Sequence, residues 1–314
     1  MVTLLHNRRK YTSGQSSPTA GGVWADFNLS HMGGHVRSTQ LVDSASSYLS
    51  GQPLRCYGLT PMPNGNLLIS ADGQGHSYVW GFTSGHSMEL EYIDNFYTSR
   101  TGSFSGFYAI TFTGDGTGFY RQSGGVSTIY YQPLGSPYNL GTAGSSTAVF
   151  SSVSQGIVGV PYYISVSSDG KTLIYKTSTS LLYGVSFDTA WPTSAFDRWS
   201  MKSINLSSFD SFMISSGTNT WNGFTVSPDG KCIVATTNQT VVKFALSTPW
   251  DVSTMSFHSF KNLLDDVRSI SGDSNVSVTL TGVAVNAAGT KMLVHNRAGG
   301  TTAKCRFFEY DLVA

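Results

Sequence analysis

The chain has 314 residues, of which 40% are hydrophobic, 13% aromatic and only 12% charged, with a formal net charge of +1. This composition supports a packed core and excludes disorder, and a chain of this length needs neither disulfides nor metals to hold it together. The near-neutral balance excludes the electrostatic footprint of a DNA-binding protein, and no apolar stretch reaches the roughly 18 residues of a membrane-spanning helix.

In chain order, the opening residues MVTLLHNRRKYTSGQSSP lack a long apolar run, so no secretory signal is expected. Within them VTLLHNRRK (2–10) echoes KMLVHNRAG (291–299) near the other end. GGVWADFNLS (21–30) reads as a third strand and HVRSTQLVD (35–43) as a possible fourth, which gives an N-terminal unit over 1–50 that lacks its first strand. Between them HMGGH (31–35) holds two histidines, but Gly33 and Gly34 oppose the helix that would bring them to one face, so a tight loop is expected rather than a metal site.

Five further units follow. The unit at about 51–105 contains LTPMPNGNLLISAD (59–72), with its turn at Gly65. The unit at 106–159 contains ITFTGDGTGFY (110–120), with Gly116, then LGSPYNLGTA (134–143), with Tyr138. The unit at 160–219 contains ISVSSDGKTLIYKT (164–177), with Gly170, then FDTAWPTSAF (187–196), with Trp191. The unit at 220–276 contains FTVSPDGKCIVATT (224–237), with Gly230, then LSTPWDVSTM (246–255), with Trp250. The last, at 277–314, contains VAVNAAGTKMLVHNR (283–297), with Gly289, and stops after a third strand. Gly230 lies 60 residues after Gly170, and Trp250 lies 59 after Trp191, so two separate anchors give nearly the same period.

Each unit reads as four antiparallel strands. An alternating first strand meets a hairpin turn of the Pro-Asp-Gly type, in which glycine is free to take positive φ. A short polar turn joins the second and third strands, and the aromatic loop leads to the fourth. KNLLDDVRSI (261–270) is expected to hold one helical turn at most. Tandem four-stranded units of this length predict an all-β fold, a β-propeller of four-stranded antiparallel blades forming one domain over 1–314. Six blades, two of them incomplete, account for the N-terminal echo; five, with 35–43 closing the C-terminal blade as a clasp, and seven are the alternatives.

The chemistry-bearing residues have structural readings. The aspartates of the DG pairs (Asp72, Asp115, Asp169, Asp229) suit capping of their own turns. Tyr138, Trp191 and Trp250 recur at one place in the repeat, which suits packing better than a single ligand platform, whereas Trp24, Trp80, Trp199 and Trp221 do not recur and are candidates for a sugar-binding face. Three scattered cysteines (Cys56, Cys232, Cys305) form neither a disulfide framework nor a zinc site. No P-loop, G-x-S-x-G elbow, H-E-x-x-H or EF-hand loop is present. No catalytic, cofactor-binding or metal-binding residue is therefore assigned, and no cofactor is expected.

The pair SPDGK and LSTPWDVSTM is similar to a propeller repeat common in proteins of marine and freshwater phages. The match is close around Gly230, moderate around Gly170 and Gly116, and poor at the ends. The resemblance implies a structural part of a phage virion, assembled in the host cytoplasm, of the kind found in the tail nozzles of short-tailed phages, where such chains form a ring of six. Its partners would be a tail adaptor, fibres or neighbouring nozzle subunits. This chain lacks the length for the large inserted domains of bigger nozzles. The other readings are a glycan- or receptor-binding module, a capsid decoration protein, and a metal-dependent propeller enzyme.

Overall fold

The computed structural model describes residues 24, 27–32, 37–39, 42–43, 52–53, 56–61, 67–71, 76–82, 90–97, 110–122, 128–151, 161–177, 180–194, 199–209, 221–271, 278–286, 288–296 and 306–312. The strands begin with β1 (Arg37–Thr39) and a two-stranded ribbon of β2 (Val42–Asp43) and β3 (Gln52–Pro53). The first blade is β4 (Cys56–Pro61), β5 (Leu67–Ala71), β6 (His76–Phe82) and β7 (Leu90–Tyr97). The second is β8 (Ile110–Phe112), β9 (Gly118–Gln122), β10 (Thr128–Pro133) and β11 (Thr147–Ser151). The third is β12 (Pro161–Val166), β13 (Thr172–Thr177), β14 (Leu181–Phe187) and β15 (Trp199–Asn205). The fourth is β16 (Gly223–Val226), β17 (Cys232–Thr236), β18 (Thr240–Leu246) and β19 (Met255–Asn262). The fifth has β20 (Leu280–Val285), β21 (Lys291–Asn296) and β22 (Arg306–Asp311) from the C-terminus, and β1 as its fourth strand.

All five sheets are antiparallel and four-stranded, as expected of propeller blades. The six-blade expectation is corrected. Among the described residues there are five four-stranded sheets, and Arg37, Ser38 and Thr39 pair with Glu309, Phe308 and Phe307 to complete the last. Of the N-terminal unit expected over 1–50, β1 belongs to the fifth blade. Within the stretch 21–30, expected as a third strand, the described end differs: Leu29–His31 is a 3-10 turn, because Asn28 turns its side chain onto the Ser30 N–H. The echo at Val2–Lys10 lies outside the described residues.

The first strands line the axis. β8 meets β12, β12 meets β16, β16 meets β20 and β20 meets β4. The Thr60 hydroxyl of β4 donates to the Ile110 carbonyl of β8 at 2.8 Å and closes the circuit. The circuit is tight. A Cβ on Gly223 would lie 3.0 Å from the Gly282 Cα, and one on Gly282 would lie 3.0 Å from the Leu59 Cγ. Both glycines stand equally far ahead of their turn glycines, Gly230 and Gly289. Only a residue without a side chain fits where neighbouring backbones approach this closely.

Alternate residues of the middle strands serve the two seams of each blade. In β17, Ile233 and Ala235 pack with Ile174, Leu182 and Phe244 between the third and fourth blades. Cys232 and Val234 pack with Val283, Val294 and Phe308 between the fourth and fifth. A strand buried on both faces reads as a continuous apolar run, and CIVAT is buried throughout. Each such valine, leucine or isoleucine side chain contributes about 1.5–3 kcal/mol on burial.

One helix, α1 (Leu264–Ser271), leaves the fourth blade. It is longer than the single turn expected at 261–270. Asn262 accepts the Leu264 N–H at 2.8 Å, Asp265 and Asp266 sit in the first turn where the helix dipole favours them, and Leu263 and Val267 bury against the fifth blade.

Trp24 fastens the N-terminal segment to the fifth blade. It is 2% exposed, and its indole Nε1 donates to the Asn286 carbonyl at 3.0 Å. Trp24→Ala should lower unfolding free energy by about 3–5 kcal/mol, read as a lower midpoint in urea denaturation.

Candidate functional site

The most regular assembly of polar and aromatic side chains is a belt of corners, where the turn between strands one and two meets the loop between strands three and four. In the fourth blade the Ser227 hydroxyl donates to Asp229 Oδ1 at 2.6 Å and accepts the Cys232 N–H at 2.9 Å. Asp229 also accepts the Lys231 N–H at 3.1 Å. The third blade repeats this with Ser167 and Asp169, and the second with Thr113 and Asp115. In the fifth, Asn286 replaces the hydroxyl residue and its side-chain oxygen accepts the N–H groups of Thr290 and Lys291 at 2.8 and 3.1 Å. The carboxylates are therefore engaged within their own turns. Burial would raise the Asp115 pKa, but the N–H of Thr117 and the hydroxyls of Thr113 and Thr117 outweigh it and hold the group below the usual carboxylate value. Asp169 is lowered likewise: burial opposes, and Ser167 and the Lys171 N–H prevail.

The sequence-selected glycines turn each corner. Gly116, Gly170, Gly230 and Gly289 have φ of 72°, 70°, 71° and 68°, and Gly65 lies outside the described residues. The selected aromatics sit on them. Tyr138, Trp191 and Trp250 also have positive φ, at 59°, 51° and 63°, and each donates its backbone N–H to the carbonyl of Gly116, Gly170 or Gly230 at 2.9 Å. The rings lie flat on these turns, so that a Cβ on Gly230 would stand 2.0 Å from Trp250 Cδ1. Each aromatic thus covers its own blade's corner. Trp191 also reaches the preceding blade, stacking on Tyr120 at 6.2 Å. Trp24 takes the place over Gly289, with its Cδ1 2.9 Å from where a Cβ would be.

Three loops continue into the same capped 3-10 turn. Asn28, Asn139 and Asp251 accept the N–H two residues on, at 3.0, 3.0 and 3.1 Å, and Leu29, Leu140 and Val252 are buried at the first position. The turn holding Val252 packs on β14 and β15 of the preceding blade, and the turn holding Leu29 packs on β18 and β19. Sequence reasoning missed this kinship, although FNLSHM (27–32) against WDVSTM (250–255) carries the signal.

Other candidates separate. His31 lies in the 3-10 turn, and His35 lies outside the described residues. No group of three metal-ligating side chains occurs among the described residues. Of the non-recurring tryptophans, Trp24 and Trp221 are buried, Trp221 against Phe244 at 5.3 Å, so neither faces a ligand; Trp80 and Trp199 stand on β6 and β15. Cys232 is buried on β17 and forms no disulfide. Lys176 is buried near the end of β13, bonded to the Thr177 carbonyl, and burial pushes its pKa down to about 8.

Gly230→Ala should destabilise the fold by more than about 1 kcal/mol in chemical denaturation, since the strained φ and the collision with Trp250 act together. Asp115 and Asp169 bind protons less readily when folded than when unfolded. Their contribution is full above the unfolded carboxylate pKa of about 4 and is lost as pH falls through the lower folded values, so urea midpoints should drop below about pH 4 and Asp→Asn variants should show a shallower acid limb.

No family model matches the chain, and no curated protein matches it. Among solved structures, the β-propeller domain of Myceliophteria thermophila Cps50 (Swd1) is 10% identical with a TM-score of 0.44, covering 88% of this chain and 90% of that one. Kuenenia stuttgartiensis hydrazine synthase is 15% identical with a TM-score of 0.40, covering 78% of this chain and 56% of that one. The propeller assignment here rests on the sheet topology itself.

Proposed function

We propose that the chain is a non-enzymatic structural subunit of a phage virion, placed in the tail as a nozzle or tube-end component and assembled as a ring, with a hexamer as the expected form. The observation that carries this reading is the engagement of the repeat's own functional groups. Asp115, Asp169, Asp229 and Asp251 serve turns and loop caps, and the recurring aromatics cover turn glycines. These groups build a rigid corner in successive blades, which suits a scaffold.

The close approach of Gly223, Gly282 and Leu59 adds a constraint. In a ring of such chains, a conduit would run between copies, with each propeller serving as wall. The weakly charged surface favours packing against other protein subunits. A tail adaptor, fibres or further nozzle subunits are the expected partners. Quantitative mass spectrometry of purified particles tests the proposal. The chain should be present at six copies or a small multiple, whereas a chain absent from particles and monomeric by native mass measurement overturns it.

A further inference from the structure

The loops of three successive units land at one place on the preceding blade, but the chemistry there differs each time. The place is the pair formed by the fourth residue after the turn glycine and the third-strand residue beside it, identified by the latter. In the second blade it is Tyr131, opposite Tyr120; in the third it is Gly184, opposite Ile174; in the fourth it is Lys243, opposite Val234. What each receives also differs. On the second blade, the Tyr120 hydroxyl, whose ring lies 5.6 Å from that of Tyr131, donates to the Pro192 carbonyl at 3.0 Å. On the third, bare Gly184 admits Val252, whose Cγ2 lies 3.4 Å from where a Cβ would stand, and the Trp250 carbonyl lies 3.6 Å from that point. The anchor there is Lys202, beside Gly184 on the fourth strand, which forms an ion pair with the loop cap Asp251.

On the fourth blade the lysine has changed strands. Lys243 is fully buried and donates to the Phe27 carbonyl, the group corresponding to that of Trp250, with its ammonium 4.1 Å from the Phe27 ring. Its neighbour on the fourth strand, Ser259, stands where Lys202 stands in the third blade, and accepts the Leu29 N–H at 3.1 Å. The cap there is the neutral Asn28 in place of an aspartate. The two docks are therefore complementary in opposite senses. One offers an outer lysine to an acidic cap and leaves the sheet bare; the other offers an inner lysine to a carbonyl and an aromatic face beneath a neutral cap.

We propose that these docks form a matching code that fixes which loop seats on which blade, with Gly184/Lys202 accepting Trp250–Thr254, and Lys243/Ser259 accepting Phe27–His31. In a chain of similar repeats, an unmatched loop would otherwise compete for a neighbour's seat or for the seat of another copy. Specificity of this kind needs an attractive pairing for the right partner and an unfavourable one for the wrong. The FNLSHM segment on the third blade would leave Lys202 without its carboxylate. The WDVSTM segment on the fourth would take Asp251 away from its ion-pair partner Lys202.

The test transplants a loop and then its dock in the full chain. Replacing Asp251–Thr254 with the sequence NLSH, which keeps Trp250 over Gly230, should speed amide hydrogen exchange in β14 and β15 by about tenfold or more, and adding Gly184→Lys with Lys202→Ser should return most of that protection. Equal exchange in the graft with and without the new dock overturns the proposal. If the graft does not fold, single changes decide: Lys243→Met should raise exchange at 27–31 and leave 250–254 unchanged, Lys202→Ala should do the reverse, and shared effects overturn the code.

Discussion

The hydrogen bond from an aromatic residue's N–H to a turn glycine's carbonyl is the constraint on which the ring depends. It forces two consecutive demands on the chain. The glycine must take a left-handed conformation to turn the hairpin, and the aromatic residue must take one as well to lie across it. For a tyrosine or tryptophan that backbone state is uncommon and persists only when its surroundings hold it. Here the ring's contact with the bare glycine face supplies the hold. The corner in turn sets the exit direction of the loop, and this carries the capped 3-10 turn onto the preceding blade.

From that corner the seams follow. A blade's middle strands bury both faces, so each needs a neighbour on either side, and the first strands are drawn together until Gly223 and Gly282 permit near contact of backbones. Polar residues within this frame pair both with backbone groups and with one another. The Ser and Thr hydroxyls tie hairpins, Lys243 holds a carbonyl, and Lys291 joins Glu309 and Asp311 at 2.9 and 2.7 Å across the fifth sheet. A chain with few charges can be well ordered because its hydroxyls do the work of ion pairs at shorter range.

Much of this was legible in the sequence, for physical reasons. Positive φ demands glycine, so Gly116, Gly170, Gly230 and Gly289 mark corners wherever they fall, and the spacing of Trp191 and Trp250 follows that of their glycines. The fifth corner was not legible in this way, because its aromatic arrives from the opposite end of the chain. Trp24 and Gly289 are separated by most of the sequence, and a repeat search along the chain cannot pair them. The echo between 2–10 and 291–299 invites an extra blade, whereas the FNLSHM segment, which shares the loop's conformation, differs from WDVSTM at four of six positions, and its first four residues read as strand. The docks were hidden for another reason: Tyr131, Gly184 and Lys243 share a sheet position and no chemistry.

The placement of Trp24, Phe27 and β1 has a consequence for biosynthesis. Phe27 precedes Lys243 by 216 positions, Trp24 precedes Asn286 by 262, and β1 is likewise made long before β22. Until those later residues are made, the early segment has no home and the growing row of sheets presents an open flank. Ring closure thus waits on the later-made strands and joins segments that are far apart in the sequence. Contacts this remote in sequence are slow to form, and the unfinished row is exposed to association with its siblings in the meantime.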